Sequence, residues 1–81
     1  MILPTIHLNG TSRESLHAGY REALQSIQSA IDTLARIAPH GRDYYPQGPH
    51  AFAQAHDEYV ARMAALQKVS SEIYALAEHT L

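Results

Sequence analysis

Two short segments gather the side chains best suited to chemistry. In His7-Leu8-Asn9-Gly10-Thr11-Ser12-Arg13 an amide, a glycine, two hydroxyls and a guanidinium follow one another. Set at a helix start, where backbone N–H groups lack intrahelical acceptors, Asn9, Thr11 and Ser12 would offer an anion a cradle of hydrogen-bonding groups. Arg13 would grip a phosphate through two parallel hydrogen bonds. The same residues also read as a plain turn and cap, Asn9-Gly10 turning the chain and Thr11 starting the helix. The second segment is Gly41-Arg42-Asp43-Tyr44-Tyr45. A connector needs only small polar residues, and tandem tyrosines beside an Arg-Asp pair exceed that need. Tyr44 and Tyr45 present flat faces on which a purine or nicotinamide can stack. Arg42 pairs with phosphate, and Asp43 accepts from an amine or a ribose hydroxyl while repelling a phosphate set too close. The plainer alternative folds one tyrosine over the helix ends and pairs Arg42 with Asp43.

Other chemistry has less support. The six histidines are His7, His17, His40, His50, His56 and His79. No two stand three or four residues apart, the spacing that puts two rings on one helix face for zinc, so no metal site is expected. His56 reads as a packed residue of a helix seam, and His17 and His79 as solvated. No nucleophile–base–acid arrangement or nucleotide-hydrolase motif occurs, so the chain is expected to be no enzyme and to carry no cofactor. The net charge is −2, and the six Lys and Arg residues are scattered. Without a basic stripe, duplex nucleic acid is an unfavoured partner. Met1-Ile2-Leu3-Pro4 lacks the basic region of a signal peptide, and no apolar run approaches the roughly 20 residues that span a bilayer.

The elements that would position these groups are helical. Residues 1–10 read as an extended arm, with Pro4 opposing helix and Ile6-His7-Leu8 alternating as in a strand. A first helix is expected over 11–38, starting at Thr11 or Ser12, where Thr11-Ser12-Arg13-Glu14 fits a capping box. Leu16, Tyr20, Leu24, Ile27, Ile31, Leu34 and Ala38 form its apolar stripe, and Pro39 and Gly41 end it. Residues 39–48 form a loop rich in proline and glycine. A second helix is expected over 49–79, with Pro49 at its first position. Its seam is Phe52, Tyr59, Leu66 and Ile73, joined by His56, Met63, Ser70 and Ala77. Val60 and Tyr74 lie off that seam.

The expected fold is therefore all-α, one domain of two long antiparallel helices with a short N-terminal arm. A chain of 81 residues with no cysteine has neither the core nor the disulfides to make a lone hairpin stable. Oligomerisation into a helix bundle is the remaining support, and the apolar edge beside the seam exceeds what one neighbouring helix covers. A hairpin holds the 9–13 and 42–45 segments at opposite ends of rods roughly 39 Å long. Two antiparallel subunits would bring the two segments together, one from each chain.

The segments Ile6-His7-Leu8-Asn9-Gly10-Thr11-Ser12 and His40-Gly41-Arg42-Asp43-Tyr44-Tyr45-Pro46-Gln47-Gly48 resemble a family of short bacteriophage and prophage proteins. Those carry a similar start, a long helix, a similar loop and a second helix. The resemblance covers nearly the whole chain and implies a setting, the cytoplasm of an infected bacterium, more than an activity. Small oligomeric phage proteins often act by binding, some as sponges for the nucleotide signals of bacterial immunity. The expected function is capture of a phosphorylated, base-containing small molecule by a homo-oligomer. Two alternatives stand beside it. One is a module that blocks a host protein through its arm or through Val60 and Tyr74, and the other is a small structural or assembly protein of the virion.

Overall fold

The computed structural model describes all 81 residues. Two helices run antiparallel, α1 over Arg13–Arg36 and α2 over Ala51–His79, joined by two 3-10 turns at Gly41–Asp43 and Tyr45–Gln47. There is no strand. The helical hairpin expected from the apolar periodicities is thus present, with shorter helices than the sequence suggested.

Each boundary has a local cause. The cap of α1 is Ser12, whose Oγ accepts from the Ser15 backbone N–H at 3.1 Å. The expected box of Thr11 and Glu14 does not form. Both Thr11 and Ser12 carry a cap-competent hydroxyl, and the helix takes the second. At the other end the Ile37 N–H turns back to Leu34 O at 3.1 Å, closing α1 at Arg36 rather than Ala38. Pro39 explains this, since its ring disfavours helical backbone in the residue before it. Pro49 does not open α2. His50 is the N-cap, and the first full helical bond runs from Gln54 N–H to His50 O at 3.1 Å. Gly48 has φ 113°, the left-handed region that favours glycine, and it redirects the chain into α2.

The arm forms no ladder within the chain. Residues 1–7 lack regular structure, and the Gly10 N–H to His7 O bond of 3.1 Å closes the turn that Asn9-Gly10 signals. His79 Nε2 donates to Pro4 O at 2.8 Å and ties the arm to the end of α2.

Between the helices Leu16, Tyr20, Leu24, Ile27, Ile31 and Leu34 of α1 meet Tyr59, Met63, Leu66, Ser70 and Ile73 of α2, all half-buried. Only Ala77 and Thr80 are buried. His17 sits opposite Ala77 and Thr80, so at 1.5 Å per residue α1 ends opposite about residues 58–61 of α2. The first two turns of α2 therefore face the loop rather than α1. This is why Phe52 and His56, expected in the seam, are exposed. The rings of Phe52 and His56 lie 6.3 Å apart on the surface, and His56 Nδ1 reaches only Asp57 Oδ1 at 3.8 Å. The molecule measures 61 × 21 × 16 Å with a radius of gyration of 18.2 Å. A compact domain of this length would have about 12 Å. No helix is long and apolar enough to cross a membrane.

Candidate functional site

At the loop end, the first 3-10 turn holds Arg42 and Asp43. It is anchored by His40, whose Nδ1 accepts from the Arg42 N–H at 3.2 Å and whose carbonyl accepts from the Asp43 N–H at 3.0 Å. The backbone is thereby fixed while both charged side chains stay in solvent. Arg42 and Asp43 do not pair with each other, since the chain's only ion pairs are His56–Asp57 and Arg62–Glu58. The tyrosines divide. Tyr44 is half-buried at the junction of the two turns, and Tyr45, opening the second, is 76% exposed. A free guanidinium, a free carboxylate and an exposed phenol ring stand together within four residues.

At the opposite end, Asn9, Thr11, Ser12 and Arg13 are all exposed where the arm enters α1. Ser12 uses its hydroxyl on Ser15, leaving the N–H groups of Arg13 and Glu14 without acceptors. Arg13 has no carboxylate partner. Within one chain the two groups lie apart by the length of α1, whose 24 residues span about 36 Å. Each group of candidate residues is therefore local in the chain, and the two groups do not meet within one chain.

A further feature escaped the sequence reading. The arm-proximal, open end of the hairpin carries a groove of about 280 Å³ lined by His17, Arg21, Leu24, Tyr74, Ala77, Glu78 and Leu81. His17 holds its wall in place and is not solvated as expected. Thr80 Oγ donates to Ala77 O at 2.9 Å, so its oxygen is left to accept. His17 Nδ1–H then donates to both Ala77 O at 3.0 Å and Thr80 Oγ at 3.1 Å. These bonds require the Nδ1-protonated ring and leave Nε2 without a partner in the chain. The local signal was His17 and Arg21, one turn apart beside the apolar stripe. The other wall comes from residues far along the chain. No three His, Asp or Glu side chains are grouped so as to hold a metal ion.

No protein-family model, curated protein or solved structure matches this chain.

Proposed function

We propose that this protein is a non-enzymatic, homo-oligomeric binding protein that sequesters a phosphorylated, base-containing small molecule between subunits. The observation that carries the reading is the Arg42–Tyr45 turn. Its backbone is pinned by His40 while its guanidinium and one aromatic ring are left without intrachain partners. Tyr45 and Tyr44 stack on the base, Arg42 holds phosphate, and Asp43 accepts from an amine or ribose hydroxyl. From a second, antiparallel subunit Arg13 completes the phosphate grip, with Asn9, Thr11 and Ser12 as further hydrogen-bonding groups. Micromolar capture needs about 8 kcal/mol net, which is within reach of a stacked base with a doubly held phosphate. With the resemblance to phage proteins, the fitting ligands are nucleotide signals of bacterial immunity, met in the host cytoplasm. A thermal-shift screen of mono-, di- and cyclic nucleotides tests this. One nucleotide class should raise the melting temperature of the wild-type chain and leave an Arg42→Ala variant unmoved. No shift with any class overturns the reading.

A second reading follows from the arm, where Ile2 and Leu8 are almost fully exposed. Such a segment fits a module that blocks a host protein by adding to its surface. That reading expects retention of host protein by the full chain and its loss on deletion of residues 1–8, with nucleotides having no effect.

A further inference from the structure

One flank of the hairpin carries a row of exposed apolar residues, interspersed with His56, Gln67 and Glu78. Phe52, Val60 and Tyr74 of α2, with Leu81 just beyond it, are 39%, 50%, 58% and 79% exposed. At 100° per residue these four positions fall within an arc of about 80°. Val69, the other large exposed apolar residue of α2, faces away from them. The groove between Leu24, Tyr74 and Leu81 lies at one end of this flank and Phe52 at the other.

The elongated shape, 61 × 21 × 16 Å, leaves more surface exposed over the whole chain than a compact one would. The chain presents 6152 Å² to solvent, whereas a compact monomer of its mass presents about 4,900 Å². The surplus of roughly 1,250 Å² exceeds the 800 Å² or so that each partner contributes to a standard interface.

The two ends also complement each other chemically. α2 begins without a side-chain cap and without an acidic residue in its first turn, and the Phe52 and Ala53 N–H groups have no acceptor. Glu78, on the rim of the groove, has no partner. When two copies of α2 pair antiparallel about their midpoint near Ala65, Glu78 of one copy comes opposite Phe52 of the other. A carboxylate beside an uncapped helix N-terminus is favoured both by hydrogen bonding and by the helix dipole.

We propose that a second copy of this chain covers this flank in an antiparallel, two-fold arrangement. The partner's Phe52 seats in the groove against Leu24, Tyr74 and Leu81, and Glu78 caps the N-terminus of the partner's α2. Both contacts occur twice, so the pair closes on itself. The inference shares with the proposed function the need for two associated copies. It uses none of the ligand residues.

The absence of cysteine makes cross-linking decisive. His56 and Tyr74 face each other across the proposed axis, while within one chain they stand about 27 Å apart along α2. A chain carrying both His56→Cys and Tyr74→Cys, treated with a short bis-maleimide, should give a closed covalent dimer. Either single substitution should give monomer. A dimer from a single substitution means parallel packing, a ladder of sizes means an open chain, and no cross-link means no such interface. Each of these overturns the proposal. Without cross-linker, Phe52→Ala and Glu78→Gln should each raise the dimer dissociation constant at least tenfold in sedimentation, and an unchanged constant for both counts against it. Nucleotide binding by the cross-linked dimer separates the two ideas. A closed dimer that binds none overturns the function alone, and a nucleotide-binding chain that fails to cross-link overturns the interface alone.

Discussion

Thr80 carries the only buried polar side chain, and its hydroxyl is fully used. It donates within the last turn of α2 and accepts from His17, so one oxygen joins the two helices at the open end. Replacing Thr80 with Val keeps the volume and removes that acceptor. The expected loss is about 1 kcal/mol of unfolding free energy in a urea titration. Arg42 is the opposite case, exposed and without a side-chain partner in the chain. Arg42→Ala should leave thermal stability within about 0.5 kcal/mol of wild type. It should weaken nucleotide binding by about 3 kcal/mol or more, at least roughly a hundredfold by calorimetry. If Arg42→Ala unfolds the protein instead, the residue is structural and the binding account loses its main support.

At the scale of elements, the helix ends separate good sequence signals from ambiguous ones. Ser12 holds the α1 cap, so Ser12→Ala should cost about 1 kcal/mol in chemical denaturation. Thr11→Ala and Glu14→Gln should cost under about 0.5 kcal/mol each, and the reverse ranking would move the cap back to Thr11. Gly48→Ala should cost about 1–3 kcal/mol, because its φ of 113° is strained for any residue with a Cβ. The two helices were legible because their apolar residues repeat every three or four positions. The break at Pro39 was legible because proline restricts the backbone directly, and the turn at Asn9-Gly10 because asparagine and glycine readily adopt turn conformations. The cap register was not, since adjacent hydroxyls at Thr11 and Ser12 satisfy the same rule. His17 was read as solvated because its acceptors lie 60 and 63 residues away, beyond any local pattern. Phe52 and His56 kept the seam's spacing but lost its partner, because α2 outruns α1 and spacing does not report where the neighbouring helix stops. Both halves of the candidate site were visible as residue types. Their separation followed from hairpin geometry, while the open-end groove needed the packed pair of helices to be seen.

The whole molecule is a thin rod whose paired helices bury little. Its radius of gyration of 18.2 Å and only two buried residues leave it without the enclosed core of a compact domain. In the proposed assembly a second copy supplies further burial, which would make stability a function of concentration. For a dimer that dissociates as it unfolds, each tenfold rise in protein concentration should add about 1.4 kcal/mol to the apparent stability. A melting temperature independent of concentration would mark a self-sufficient monomer. In the proposed assembly the Arg42–Tyr45 turn of one chain comes toward the Asn9–Arg13 segment of the next, so ligand capture needs two associated copies while the interface uses none of the ligand residues. The measurement that tests this most directly is native mass spectrometry of the intact protein purified from bacterial cells, with and without added cyclic nucleotides. The account predicts a discrete oligomer with one bound nucleotide per composite site, and no adduct on the same oligomer of Arg42→Ala. A monomer near the 9.0 kDa chain mass, or an oligomer that takes up no nucleotide, would contradict it.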